Sequence, residues 1–447
     1  MNKTEFKRAM CCGLGRCATE LSASENIKKY KDIVLWGCLH NLSYDKVCEG
    51  TRAFYVYKLT EYFQDEMYFL APVAQKFLSF PFWVNSDIFA HCCELLCCFA
   101  ESGNDTARQI LEKKYTEFYT FLLNDSNKTT WKKASVNFEY LCVLLDSLYG
   151  FPFFRMGCKD MGRLFLHKKH ADFSWFYHNG EDKFGKKRVQ TFLKKKAVDD
   201  IEYAAFYERL ILENESEKKP YRKESKTDKL IEKLKNGTEN LQDRLCLRRI
   251  KNTELTELIS EMIKSAKEEK RVAQLLQCLD ENCPITNEEL MDYYKKGSLA
   301  LKREILRILS ERQGSGLHDF ALEVLQEDTR DGRTVRLLLN NFLPGDEKIL
   351  LSALKKLNVD YTDGDNWHDA FSAVLLADLT KVQVPKDVLY YIYENSLCSF
   401  CRDSALRLLV RKRWLTEDIL NECLYDSNCE IRLWADKKVS KKSNKNV

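Results

Sequence analysis

Glycine and proline are scarce in this chain. Its 447 residues include 17 glycines and 7 prolines, well below the roughly 7% and 5% of an average protein. Few breakers mean few tight turns and long uninterrupted helices, and alternating strand patterns of useful length are absent. No run approaches the roughly 18–20 apolar residues that a membrane helix needs. The start, Met1 to Lys7, lacks the apolar core of a signal peptide, so a cytoplasmic location without a membrane partner is expected. Cys12-Gly13-Leu14-Gly15-Arg16 has two glycines. No strand precedes it and no lysine stands at P-loop spacing, so it is not read as a phosphate loop.

Cysteine, in contrast, is plentiful at 18 residues. Many cysteines fall on apolar helical faces, where a free thiol behaves as a small hydrophobe. The chain is too long for a small disulfide scaffold, so reduced thiols are expected. The net charge of +4 is segregated. Residues 163–196 carry +7, residues 437–447 carry +5 and the remainder carries −8. That describes a mildly acidic body with one basic segment and a basic tail.

Helical periodicity is clear in several windows. Phe89, Cys92, Cys93, Leu96 and Ala100 follow the i, i+3, i+4, i+7 rule. So do Phe138, Leu141, Cys142, Leu145 and Leu148, and Tyr203, Phe206, Tyr207 and Leu210. Each makes an apolar stripe that another element must cover. Turn signals fall at Ala71-Pro72, Phe80-Pro81, 102–105, 124–127 and 149–152, at intervals that suit helical hairpins. The expected organisation is a Cys- and aromatic-rich helical half over 1–212, with an irregular basic segment at 151–196. A polar linker follows at 213–228, then a repeat half over 229–439 and a disordered basic tail at 440–447. Thr286 and Glu289 have capping-box spacing, and Pro385 suits the first turn of a helix.

The second half repeats itself. An apolar–basic–x–x–apolar pattern occurs as Leu301-Lys302…Ile305, Val335-Arg336…Leu339, Cys401-Arg402…Ala405 and Ile431-Arg432…Ala435. The spacings are 34, 66 (two periods of 33) and 30 residues. Such a period marks stacked helical hairpins, none of which buries its apolar face alone. With turns at Asn395-Ser396 and Asp426-Ser427, the chain resembles HEAT-repeat (ARM/HEAT-like) proteins over about 290–439. The resemblance implies an all-α, right-handed α-solenoid, here in two halves. It also implies that the repeated arginine is structural and reaches the turn of its own or a neighbouring repeat. Such surfaces most often bind proteins or peptides; some bind nucleic acid, and one group removes alkylated bases from DNA.

Several candidate sites stand out. A polyanion patch is read at His167, Lys168, Lys169, His170, Trp175, Tyr177, His178, Lys186, Lys187 and Arg188, continuing to Lys194, Lys195 and Lys196. Basic groups interleaved with aromatics can hold a phosphate backbone and stack bases. A metal could draw on His167, His170, His178 and Asp172, or on the Cys398-x-x-Cys401 pair with Cys423 and Cys429 downstream. Yet Cys401 occupies the apolar repeat position that Ile431 takes next, so the repeat explains it, and no metal or cofactor is expected. Cys92, Cys93, Cys97 and Cys98 read as core thiols. Trp367-His368-Asp369 and Trp434-Ala435-Asp436 pair a platform with an acid, as base excision requires, or pack a tryptophan between repeats. The favoured function is a non-catalytic scaffold for a protein or peptide. The alternative is a nucleic-acid-binding protein, extending to a base-processing enzyme. No small-molecule catalytic constellation is visible, and nothing sets an oligomeric state.

Overall fold

The computed structural model describes residues 1–84, 87–125, 127–167, 172–216, 227–327, 331–361, 366–380 and 382–443. Within them are 26 α-helices, two short 3-10 helices and no strand. The expected all-α class holds. Contacts divide the chain into two compact units, Met1–Lys219 with Thr416–Val447, and Pro220–Leu415. The first division falls in the polar stretch 213–228, most of which lies outside the described residues. The second falls at 415/416, so the last two helices group with the N-terminal residues rather than with the 229–439 repeats.

In the first unit, ten helices alternate between two rows. Lys3–Cys12, Lys31–Cys38, Glu66–Ser79, Asp105–Asn124 and Phe151–His167 pack successively on one another. Arg16–Ala23, Ala53–Thr60, Asp87–Glu101, Lys128–Tyr149 and Ser174–Phe184 do the same. The stripes read from sequence face inward: Phe89, Cys92, Cys93, Leu96 and Ala100 are all buried, as are Phe138, Leu141, Cys142 and Leu145. In the second unit, Glu269–Leu276, Leu299–Leu309, Gly332–Asn340, Asn366–Thr380 and Ser399–Arg411 pack in one succession, each with a preceding partner helix.

Short helices end often, and each end leaves carbonyl oxygens without intrahelical partners. Here a side chain from a later helix supplies the donors. Lys76 Nζ donates to Leu39 O, Lys114 Nζ to Leu78 O and Phe80 O, and Lys183 Nζ to Asp146 O. In the second unit Arg307 donates to Leu276 O and Leu279 O, and Lys356 donates to Leu325 O. Arg312, just past the helix Leu299–Leu309, reaches instead the carbonyls of the loop before Asn287–Lys296: Glu281 (2.6 Å), Ile285 (2.7 Å) and Cys283 (2.7 Å). A cation at a helix C-terminus also meets the negative end of the macrodipole. Of the repeated basic residues, Arg432 donates to Asp426 O and Ser427 O of its own turn. Lys302 and Arg336 instead pair with Glu327 and Glu311.

Three expectations need correction. The described residues of 151–196 are not irregular: Phe151–His167, Ser174–Phe184 and Lys186–Asp199 are helices. Their glycines serve close packing. A Cβ on Gly162 would stand 1.8 Å from Glu202 O, in the helix Ile201–Ser216 that packs there. Pro72 does not break a helix but lies inside Glu66–Ser79, where Phe69, Leu70, Val73 and Phe77 are fully buried. That burial outweighs one missing N–H. The final helix runs Cys429–Ser443, so residues 440–443 of the expected disordered tail are helical.

Cys12-Gly13-Leu14-Gly15-Arg16 acquires a structural role in the first unit. Ser427 N–H donates to Gly13 O at 2.8 Å, and Arg16 Nε pairs with Glu422 at 3.1 Å. A Cβ on Gly15 would meet Glu422 O at 1.9 Å. The loop is the seat of the C-terminal hairpin.

Arg312→Met keeps the apolar stem and removes the donors for three carbonyls. Charge-assisted hydrogen bonds of this kind make the expected loss about 2–4 kcal/mol. Urea unfolding would check it, and an unchanged midpoint would remove the clamp from the account.

Candidate functional site

The candidate polyanion patch separates into a structural and an exposed part. Lys168, Lys169 and His170 lie outside the described residues. His167 ends its helix and is exposed. Tyr177 is buried and donates its hydroxyl to Glu181 at 2.6 Å. His178 Nδ1 sits 3.3 Å from the other Glu181 oxygen, and Gln190 donates to Glu181 at 2.8 Å. Phe173 and Phe176 are fully buried. Trp175 is 45% exposed, tilted against Tyr140. Of the aromatics meant for stacking, Trp175 alone presents a substantial open surface.

The cations fare differently. Lys186, Lys187, Arg188, Lys194, Lys195 and Lys196 are exposed on one helix whose Val189 and Leu193 face the core. Arg188 rests over the Phe151 ring at 4.2 Å. None of the six forms an ion pair among the described residues. The other two described cations of the segment are neutralised locally: Arg163 pairs with Glu202, and Lys183 with Asp146. His178 and His167 do not converge on a metal cluster among the described residues.

Cys92, Cys93 and Cys97 are buried, and burial pushes the Cys92 thiol up to about 12. That is the environment of an inert core thiol, not of a nucleophile. Trp367 is fully buried, donating its indole N–H to Asp360 O at 3.1 Å and packing on Phe371. It presents no free face to a base. Trp434 is half-buried.

One grouping was missed by reading spacing alone. His368, Cys398 and Cys401 place their ligand atoms within 4.8 Å of one another. Cys398 precedes the helix Ser399–Arg411 as its cap, and Cys401 lies in that helix's first turn. The Ser372 hydroxyl lies 3.7 Å from Cys401 Sγ. The Ser396 hydroxyl accepts the Cys398 N–H at 3.2 Å. The adjacent Cys398 thiol, then burial, push the Cys401 thiol far up. A sequence signal existed. Trp367-His368…Phe371 is the apolar–basic–x–x–apolar pattern in the middle of the 66-residue gap.

The first unit also carries an open pocket of about 480 Å³ where the C-terminal hairpin meets the helix Ala53–Thr60. Its lining includes Phe54, Tyr55, Tyr62, Leu424 and Tyr425 with Lys58, Glu61 and Arg432. Phe54 and Tyr425 are 47% and 46% exposed. Arg432 lies over the Phe54 ring at 5.1 Å.

No protein-family model matches the chain, and searches of the curated proteins and of the solved structures find no match either.

Glu139 ties the basic segment to the core. Its carboxylate accepts the Phe176 N–H at 2.8 Å, at the start of a helix without a side-chain cap of its own. Burial pushes this carboxyl up to about 7, against the opposing pull of that hydrogen bond. The folded state therefore holds its proton more tightly than the unfolded chain. The resulting stability is full below about 4.5 and is lost as pH rises through about 7, a swing on the order of 3 kcal/mol. In urea unfolding between pH 4.5 and 8, Glu139→Gln should flatten this dependence. Parallel pH profiles for the two proteins would refute it.

Proposed function

We propose that this chain is a non-catalytic binding protein, built of HEAT-like hairpins as a right-handed α-solenoid, that holds a protein or peptide partner. The alternating rows of helices support the solenoid reading. So does the arginine of the last repeat, which clamps its own turn as in HEAT proteins. The pocket beside the C-terminal hairpin carries the functional reading. Exposed Phe54 and Tyr425 line a concavity whose surface is largely apolar, with Lys58, Glu61, Asp426 and Arg432 also in its lining. This is the composition of a site that takes an anchoring side chain.

Installing a photo-reactive residue at Tyr62 in cells that make the protein tests this. A discrete adduct with one polypeptide is expected. It should disappear when Phe54 and Tyr425 are both changed to alanine, and be absent when the probe sits at Val47, which is 94% exposed. Adducts that survive the double substitution, or none at all, would remove the pocket as the binding site.

The six unpaired cations of Lys186–Asp199 favour a second reading, contact with a nucleic acid through its phosphates. With the neighbouring aromatics mostly buried, such binding would be electrostatic and weakly sequence-dependent. Affinity for labelled single- and double-stranded DNA and RNA should fall steeply with salt. It should be lost when Lys186, Lys187, Arg188, Lys194, Lys195 and Lys196 are changed to glutamate. Absence of binding at low salt excludes this reading.

A further inference from the structure

We propose that His368, Cys398 and Cys401 bind one zinc-class divalent ion that staples two successive hairpins of the second unit. The three donors come from two helices of one packed row, Asn366–Thr380 and the cap and first turn of Ser399–Arg411. Their ligand atoms already lie within 4.8 Å of one another. Tetrahedral zinc, with bonds of about 2.0–2.3 Å, holds its ligand atoms roughly 3.5 Å apart. Small side-chain rotations close that difference.

The chemistry fits the burial. Cys398 and Cys401 are 3% and 5% exposed. Two thiolates cancel a divalent charge and a neutral imidazole adds none, so the loaded centre carries no net charge into the core. Sulfur and imidazole donors select zinc over magnesium or calcium. Cys398 at a helix N-terminus has the macrodipole on the side that favours a thiolate. The Ser372 hydroxyl, 3.7 Å from Cys401 Sγ, is placed to hydrogen-bond that sulfur. His368 is only half-buried, which leaves an entry path. Three protein donors leave the fourth position to water.

His368 stands at the basic position of its repeat, where Arg336 and Arg402 stand in others. Cys401 stands at the apolar position of its own. One substitution of each type, at positions that meet between neighbouring repeats, makes a ligand set. Cys423 and Cys429, downstream of the C-x-x-C pair, are not members of it.

The test uses the full chain, purified with reductant, stripped with a chelator and titrated with cobalt(II). One cobalt per chain is expected, with thiolate-to-cobalt charge transfer and the intense visible bands of a tetrahedral site. Zinc should displace it and raise the melting temperature. His368→Gln, a change at a half-buried position, should weaken binding by about tenfold or more. Cys401→Ser should abolish the charge-transfer band, whereas Cys278→Ser, a buried cysteine elsewhere in the unit, should leave it unchanged. A folded wild-type chain without a stoichiometric charge-transfer band would overturn the proposal. So would a His368→Gln chain with unaltered affinity. Recovery of a Cys398–Cys401 disulfide whose reduction yields no metal binding would also overturn it, and would make the pair a redox couple.

Discussion

The arrangement depends on how stacked short helices dispose of their terminal carbonyls. A stack of many helices buries many helix ends, and each unpaired buried carbonyl is destabilising by about 1–3 kcal/mol. The donors come repeatedly from a position one hairpin later: 36 residues on for Lys114 to Leu78 and 31 for Arg307 to Leu276, with Arg312 doing the same, 29 residues on, for the loop carbonyl of Cys283. Apolar packing is non-directional and tolerates sliding of one helix along another. A guanidinium that must meet three carbonyls does not. Hydrophobic burial thus supplies most of the stability, and the clamps set the register in which it is realised. Lys114 shows how strong the demand is. It is almost fully buried, and burial depresses its basicity. It keeps its place through two carbonyls and the face of Phe82 at 4.8 Å.

Much of this was legible. Heptad-like stripes such as Phe89–Ala100 predicted the buried face of Asp87–Glu101 residue by residue. The Thr286–Glu289 capping box forms as its spacing requires. Local rules succeed where local energies decide. They fail where tertiary packing decides. Gly162 weakens a helix locally by about 1 kcal/mol, yet only a glycine admits Glu202 O to within 1.8 Å of where a Cβ would stand. Four glycines between 151 and 196 therefore suggested irregularity, although Gly157, Gly162 and Gly180 all sit within helices.

The repeat pattern was half-read for a related reason. It drew attention to Lys302, Arg336, Arg402 and Arg432, but among the clamps Arg307 and Arg312 make more carbonyl contacts than Lys302 or Arg336. The copy at Trp367-His368…Phe371, in the middle of the 66-residue gap, was also concealed, because a histidine stands where the other copies have lysine or arginine. Side chains 30 residues apart touch only once hairpins stack, so no motif of fixed spacing within one helix could have joined His368 to Cys401.

Charge placement separates what the fold needs from what it does not. Lys159 answers to Asp200 in the turn before Ile201–Ser216, Arg163 to Glu202 in the first turn of that helix, and Lys183 to Asp146. These cations belong to packing. Lys186, Lys187 and Arg188 belong to the first turn of their helix, where the macrodipole is repelled by positive charge and no acid offsets it. Arg188 gains the face of Phe151, but Lys186 and Lys187 form no ion pair among the described residues, and glutamate or aspartate would serve the helix start better. Local rules broken without structural compensation point to function rather than to stability. By the same standard His368 and Cys401 are substitutions of repeat positions that an arginine and an aliphatic residue fill elsewhere. Each is tolerable alone, and a ligand that uses both accounts for their meeting.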